Sequence, residues 1–179
     1  MVSVELLVTL KIPDVTALTA ANTIRRRLGY AERLVDLRRA DYYCLDLDLE
    51  DPQAALAMVR EMAERTNLFV NPNKHSFTVR TRQERGQPVA GNGAWTVNVL
   101  VTDPADTSPA GILAALQAIP AYGDTVLKVQ RGVLWTMKLM AESEQQAVQM
   151  AEDITVTRSQ SRGLLMNPHF QTYEMWVGT

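Results

Sequence analysis

The chain has 179 residues, of which 46% are apolar and 21% are charged, with a formal net charge of -2. This composition is typical of a globular protein and argues against intrinsic disorder. Because charges of one sign never form a long run, the sequence does not favour nucleic-acid binding, which needs a concentrated basic face.

The single cysteine, Cys44, excludes an internal disulfide, and no CxxC pair is present to hold zinc. A reducing cytoplasm fits this usage best. No apolar stretch approaches the roughly 20 residues that span a bilayer, and the N-terminus lacks the features of a signal peptide. We therefore expect a cytoplasmic protein with neither a membrane nor a nucleic acid as partner.

The first half of the chain begins with a predicted strand and helix. Alternation with period two predicts a half-buried strand with Val4, Leu6, Val8 and Leu10 on one face. After a break at Pro13-Asp14, Thr16 is expected to cap a helix that ends at Gly29. The buried stripe of this helix is expected to contain Leu18, Ala21, Ile24 and Leu28.

A long middle strand, bent or split into a hairpin, follows in the first half. Its inward residues are predicted to be Tyr43, Leu45, Leu47 and Leu49, with Cys44, Asp46, Asp48 and Glu50 on the opposite face. Asp51 and Pro52 predict the N-cap and first turn of a second helix. That helix is expected to bury Leu56, Val59 and Met62 or Ala63, and a last strand holds Phe77 and Val79.

The second half repeats the same order of elements. Its first strand holds Val97, Val99 and Val101, and its long strand holds Val133, Trp135, Met137 and Leu139. Ser108-Pro109 opens one helix, with Ile112, Leu113, Leu116 and Ile119 inside. Ser143 and Gln146 form a predicted capping box for the other helix, which buries Ala147, Met150, Ala151 and Ile154. Tyr173 and Met175 lie in the final strand.

Short matches between the two halves support an internal repeat. VELLVT at 4–9 is similar to VNVLVT at 97–102, and LFVNP at 68–72 is similar to LLMNP at 164–168. The extra residues of the second half fall near 158–163. The order of matched segments is more informative than any one of them, and it predicts two related units.

A polar, glycine-containing segment at 81–94 separates the halves and has linker composition. We predict one unit at 1–81, a linker at 82–94 and a second unit at 95–179. The fold class is α+β, with two tandem β-α-β-α-β units whose antiparallel sheets carry helices on one face. A unit this small leaves its other sheet face uncovered, so we expect the two units to pack as a pseudo-dimer.

Most of the polar clusters are explained more simply as surface than as sites. Asp46, Asp48 and Glu50 could bind a divalent cation, but a solvated outer face is the favoured interpretation. The run Arg25-Arg26-Arg27 suits the C-terminal end of a helix, where cations are favourable, better than it suits one binding face. No catalytic residue, metal site or cofactor-binding site is predicted: His75 and His169 have no neighbours at ligand spacing, and no nucleotide-binding glycine loop is present.

Three arginines at the predicted bends of the long strands are the candidate partner-contact residues: Arg38, Arg39 and Arg131. Arginine is enriched at interfaces, and a bend projects side chains outward. The alternative, an exposed turn without a partner, is left open.

The order of motifs in the first half resembles the PurS family. The motifs are VTLK in a strand, a helix ending in LGY, the bent strand DLRRADYYCLDLD, an acidic-proline cap and an Asn-Pro turn before an aromatic strand. The family's Val-Arg-x-Gly-Lys stretch falls on 37–41, where Arg38 is kept and the lysine position is Asp41. In the second half it falls on 129–133, where Gly132 is kept and the lysine position is Val133.

The resemblance implies an assembly role rather than chemistry of the chain's own. PurS is the small, non-catalytic subunit of phosphoribosylformylglycinamidine synthase in purine biosynthesis, and it docks a glutaminase (PurQ-like) subunit onto a synthetase (PurL-like) subunit for ammonia transfer. We expect those two partners, and a homo-oligomer is left open. The alternative is a PurS-derived paralogue that acts as a small-molecule-binding or regulatory module.

Overall fold

The computed structural model describes residues 1–86, 93–156 and 163–178. In chain order its elements are β1 (Val2–Leu10), α1 (Val15–Arg27), β2 (Leu34–Leu47), α2 (Pro52–Arg65), β3 (His75–Thr81), a 3₁₀ helix (Arg82–Glu84), β4 (Ala94–Thr102), α3 (Ser108–Gln117), β5 (Val126–Met140), α4 (Glu144–Thr155) and β6 (Thr172–Val177). The order β-α-β-α-β therefore occurs twice, once on each side of the predicted linker.

The strands form one six-stranded antiparallel sheet in the order β3-β1-β2-β5-β4-β6. The predicted α+β class and the antiparallel pairing are confirmed. The expectation of a separate sheet for each half was wrong, because the two long strands β2 and β5 are neighbours in the strand order. The packing of two units as a pseudo-dimer stays a prediction.

Both long strands are continuous rather than split into hairpins. Strand β2 has 14 residues and β5 has 15. Backbone hydrogen bonds join their ends, from Asp48 N–H to Thr125 C=O at 2.9 Å and from Met140 N–H to Arg33 C=O at 2.8 Å. The hairpin alternative for the middle strand is thus excluded in both halves.

The chain divides into two compact units, and each unit takes segments from both halves of the sequence. Unit 1 consists of Met1–Ile12, Ala40–Glu84 and Ala105–Gly132, and unit 2 consists of Pro13–Arg39, Arg85–Pro104 and Val133–Thr179. Helix α1 thus belongs to unit 2, and helix α3 belongs to unit 1. The predicted domains 1–81 and 95–179 follow the repeat in the sequence, and they stay a prediction. Residues 87–92 of the predicted linker, and 157–162 within the second half, lie outside the described residues.

In unit 1, helices α2 and α3 contribute to one apolar cluster with β1 and with parts of β2 and β5. Its fully buried members include Val4, Leu6, Leu45, Leu47, Val59, Met62 and Leu116. Of the residues predicted inside α3, only Leu116 is fully buried, whereas Ile112, Leu113 and Ile119 pack at the edge of the cluster. The period-two pattern of β1 correctly identified Val4, Leu6 and Val8, but Leu10 is exposed.

In unit 2, helices α1 and α4 share a cluster with β4 and with the remaining parts of β2 and β5. Its fully buried members include Ile24, Val97, Val99, Met137, Leu139, Ala147, Ala151 and Ile154. The stripe predicted for α4 is largely confirmed, with Met150 only partly buried. The stripe predicted for α1 is confirmed at Ala21 and Ile24 but was wrong at Leu18, which is 53% exposed, because the helix buries the small residues Ala17 and Ala20 instead.

Helix caps set the ends of the helices. Asp51 caps α2 and Ser143 caps α4, as the sequence predicts. Helix α1 is capped by Asp14 rather than by Thr16, since the Asp14 carboxylate accepts hydrogen bonds from the backbone N–H groups of the first turn. The predicted stop at Gly29 is confirmed by its φ of 80°, a left-handed conformation that favours glycine. Among the described residues, no helix is long and apolar enough to cross a membrane.

Candidate partner-contact site

In unit 2, Arg39 is held by the residue that caps α1. The Asp14 carboxylate accepts from the N–H groups of Thr16 at 2.8 Å and Ala17 at 3.1 Å through Oδ1. Its other oxygen, Oδ2, lies 3.4 Å from Arg39 Nη1. Because one carboxylate serves both groups, the helix start and the strand arginine are tied together.

In unit 1, Arg131 makes the corresponding contact before α3. Its Nη1 lies 3.2 Å from Asp106 Oδ2 and 3.3 Å from Ser108 Oγ. The Ser108 hydroxyl donates to Asp106 Oδ1 at 2.6 Å, and the Ser108 backbone N–H donates to the same oxygen at 2.9 Å. These hydrogen bonds from Ser108, with a smaller contribution from Arg131, hold the pKa of Asp106 below its usual value.

The two contacts correspond in the two halves, although Asp14 is the N-cap of α1 whereas Asp106 lies one residue before Thr107, the N-cap of α3. In each case the arginine lies 25 residues after the aspartate with which it pairs. The arginine side chains are partly exposed, 26% for Arg39 and 40% for Arg131. Each guanidinium therefore stabilises the entry to a helix and still presents part of its surface to solvent.

The third candidate, Arg38, differs from the other two. Its side chain is 79% exposed, and its Nε lies 2.7 Å from Asp36 Oδ2 two residues earlier. Such an exposed ion pair contributes little to stability. Of the three arginines predicted to contact a partner, Arg38 has the most surface available for one, and the contact itself stays a prediction for all three.

The sequence analysis placed the acidic residues near the end of β2 on one strand face, and this was wrong. Only Asp46 lies within β2, where it accepts a hydrogen bond from Ser3 Oγ at 2.6 Å. The strand ends at Leu47, and Asp48 and Glu50 are exposed in the turn that leads to α2. This agrees with the solvated interpretation and gives no shared cation-binding face.

Burial raises the pKa of the Cys44 thiol, which disfavours the reactive thiolate.

A buried polar cluster in unit 1 was missed by the sequence analysis. Glu5 in β1 is 0% exposed, although the face opposite to Val4 and Leu6 was expected to be open. Its carboxylate accepts from Tyr42 Oη at 2.9 Å and from Arg80 Nε at 2.8 Å. Arg80 is 17% exposed, and its Nη2 has no hydrogen-bond partner among the described residues.

One signal in the sequence could have indicated this cluster. Glu5 is the only charged residue in the otherwise apolar and hydroxylic strand Val2–Leu10. In the observed register it pairs with Cys44 on one side and Arg80 on the other. A lone carboxylate in such a strand requires a cationic partner if the face is covered, but the sequence does not say which face is covered.

The two histidines stay apart from any ligand set. His75 Nδ1 accepts from the backbone N–H of Asn71 at 3.2 Å and so closes the Asn-Pro turn. In the second half, Gln171 Oε1 accepts from Asn167 N–H at 2.9 Å in the same way. Within residues 1–86, 93–156 and 163–178, no group of three His, Cys, Asp or Glu side chains is placed to hold a metal ion.

Unit 1 also has a cavity of about 410 Å³ near the start of β1. It is lined by Met1, Val2, Ser3, Glu50, Pro52, Thr81, Arg82 and Gln83. The lining includes both an acidic and a basic side chain, so a small polar molecule would find groups of both signs there.

Residues 3–83, slightly less than half of the chain, match the model of the family PurS, described as phosphoribosylformylglycinamidine (FGAM) synthase. The matched segment runs from β1 into the 3₁₀ helix and so contains the first β-α-β-α-β series. Neither the curated proteins nor the solved structures gave a significant match. The family match therefore supports the resemblance of the first half, residues 3–83, to the PurS family.

Proposed function

We propose that the chain is a non-catalytic assembly subunit of phosphoribosylformylglycinamidine synthase. In this role it bridges the glutaminase and synthetase subunits in the cytoplasm, so that ammonia passes between them during purine biosynthesis. The observation that carries the proposal is the PurS match over residues 3–83. Arg39 and Arg131 form ion pairs within the chain and keep part of their side chains exposed, so both stay candidates for partner contact beside Arg38.

The second half enters the proposal as a diverged duplicate of the first. The element order is the same in both halves, and the Asp–Arg contacts recur at the same separation. The duplicate would supply within one chain what a second copy supplies in a dimer, at an effective concentration near millimolar for a short linker.

Reconstitution with purified glutaminase and synthetase subunits tests the assembly role. The chain is expected to be required when glutamine is the nitrogen donor and dispensable when ammonia is supplied directly, because only the first reaction needs the subunits to be joined. Equal activity with and without the chain on glutamine would contradict the proposal.

A matched pair of variants tests the partner contact at Arg38. Arg38→Glu is expected to weaken assembly about tenfold or more, since a like charge at an interface costs several kcal/mol. Arg65→Glu on α2 is the control, because Arg65 is 75% exposed and also pairs with a nearby carboxylate, that of Glu61. Equal affinities of the two variants would remove Arg38 from the interface.

The cavity in unit 1 favours a second candidate function, the binding of a small molecule. Its volume of about 410 Å³ is within the range of ligand sites. A ligand that binds only the folded chain raises its melting temperature. A screen of nucleotides and amino acids that produces no shift at millimolar concentration would exclude this candidate.

A further inference from the structure

The cavity of about 410 Å³ in unit 1 lies where the start of β1, the turn before α2 and the end of β3 meet. Val2 lines it from β1, and Glu50 and Pro52 line it from the turn and the first residue of α2. Thr81 and Arg82 line it from the end of β3 and the start of the 3₁₀ helix. All of these segments belong to unit 1, so the cavity is a feature of one compact unit.

Two hydroxyl groups in the lining are already bonded within the fold. Ser3 Oγ donates to Asp46 Oδ1 at 2.6 Å. The Oγ1 and the backbone N–H of Thr81 both donate to Glu84 Oε2, at 3.0 Å and 2.6 Å. A ligand would therefore be recognised mainly by the other polar side chains of the lining, which are those of Glu50, Arg82 and Gln83.

Glu50 and Arg82 give the cavity one charge of each sign. Both residues are exposed, and among the described residues the Glu50 carboxylate makes no hydrogen bond or ion pair. A carboxylate attracts an ammonium group, and a guanidinium matches the geometry of a carboxylate. A ligand that carries both charges would therefore find a complementary group for each of them.

The second half of the chain places a large side chain where the first half has the cavity. Val2 pairs with Leu47 across the sheet, and Trp95 pairs with Leu139 in the same register. The Trp95 indole packs against the apolar cluster of unit 2, and its Nε1 donates to the Ala141 carbonyl at 3.2 Å. Because Ala141 begins the turn that leads to α4, the indole spans the gap that corresponds to the cavity of unit 1.

The charge of Arg82 is also missing from the second half. Thr81 and Val177 occupy corresponding positions in the sheet, so Gly178 takes the place of Arg82, whereas Glu142 keeps the acidic group of Glu50. The same local fold therefore forms with an indole in that place and without the cation. The open space and the guanidinium are not requirements of the fold, which favours a binding role for them.

We propose that the cavity binds a free α-amino acid with an apolar side chain, whose carboxylate contacts Arg82 and whose ammonium group contacts Glu50. Val2 and Pro52 provide apolar surface for the side chain of the ligand. Among the described residues that line the cavity, none is aromatic and able to stack on a nucleobase, and a single guanidinium does not match the charge of a nucleotide. The inference rests on the small-molecule function proposed above and is independent of the assembly role.

Isothermal titration calorimetry on the full chain tests this inference, with L-leucine, L-methionine and L-valine as probes and the common nucleotides for comparison. We expect at least one of the three amino acids to bind with a Kd of about 1 mM or tighter. The amide and the N-acetyl derivative of that amino acid each lack one charge. Each should bind about tenfold more weakly, because one charged contact is lost.

Variants of the lining test where the amino acid binds. Val2→Trp gives unit 1 the side chain that Trp95 gives unit 2, and it should abolish binding. Arg82→Gln should weaken binding of the amino acid about tenfold and leave that of its amide unchanged, and Glu50→Gln should do the same with respect to the N-acetyl derivative. Arg65→Gln is the matched control, because Arg65 is 75% exposed on α2 and does not line the cavity.

The outcomes separate this inference from the function on which it rests. Equal affinities for the amino acid and its amide, or an affinity that Arg82→Gln lowers no more than Arg65→Gln does, would overturn the inference. Binding of a nucleotide and of none of the three amino acids would overturn it and leave the small-molecule function standing, whereas no binding of any probe would overturn both. Because Glu50 and Arg82 are exposed, their variants decide the matter even if Val2→Trp lowers the melting temperature.

Discussion

Glu5 is a buried charged residue whose replacement is expected to lower stability. Its side chain is fully buried and compensates the charge of Arg80, which is itself only 17% exposed. Glu5→Gln keeps an acceptor for the Tyr42 hydroxyl but leaves the guanidinium without its counter-charge. We expect a loss of about 3 kcal/mol in the free energy of unfolding, measured by urea denaturation.

Glu61→Gln is the control for this prediction, because the Glu61–Arg65 pair on α2 is exposed and should cost less than about 0.5 kcal/mol. Replacing Glu5 and Arg80 together by leucine should recover much of the loss, since no buried charge then remains. Equal losses in the free energy of unfolding for Glu5→Gln and Glu61→Gln would contradict this prediction, because the buried pair would then stabilise the fold no more than the exposed pair.

Asp106 gives a prediction about pH. Its pKa is lowered in the folded chain, so its contribution to stability is present above the ordinary carboxyl pKa and is lost as the pH falls through the lowered value. The Ser108 hydroxyl is the largest cause of the lowering. Ser108→Ala should therefore raise the pKa of Asp106 toward its ordinary value in an NMR titration, and an unchanged titration would contradict this assignment.

At the scale of residues, the sequence named Arg38, Arg39 and Arg131 as partner-contact candidates because of predicted bends in the long strands. The carboxylates of Asp14 and Asp106, which pair with two of them, were not predicted. Such pairs join residues 25 positions apart, and local periodicity carries no information about them. Glu5 was missed for the same reason, because its partner Arg80 is distant in the chain.

At the scale of elements, the start of α1 depends on Asp14. Asp14→Ala removes both the cap and the contact with Arg39, and we expect a loss of about 1–2 kcal/mol in the free energy of unfolding. Asp14→Asn keeps the capping oxygen and removes only the charge, so it should cost about 0.5 kcal/mol or less. Equal losses for the two variants would assign the effect to the ion pair rather than to the cap.

Element types and order were largely predictable from hydrophobic periodicity and turn residues. The stripe of α1 was the exception, because Leu18 fits a helical apolar period as well as Ala17 and Ala20 do. The small residues Ala17 and Ala20 are buried in the core, whereas Leu18, which the period assigned to the core, is exposed. Periodicity alone does not distinguish a buried leucine from an exposed one.

At the scale of the whole molecule, the central finding is that each compact unit is assembled from both halves of the sequence. Helix α1 contributes Ala17, Ala20, Ala21 and Ile24 to a cluster otherwise built largely from the second half. Leu116 of α3 belongs to the cluster built around β1 and α2. The repeat in the sequence could not reveal this exchange, because a pattern of apolar residues identifies a face to be buried but not the segment that buries it.

Splitting the chain within 87–92 and studying the two fragments tests this finding most directly. Neither fragment alone is expected to be a folded monomer, because each lacks one helix and some strand segments of each of the two clusters. A fragment alone should be unfolded or form a homodimer. Mixed together, the fragments should form a 1:1 complex with the circular dichroism spectrum and cooperative unfolding of the intact chain. Two fragments that each fold as monomers, with cooperative unfolding of their own, would contradict the account.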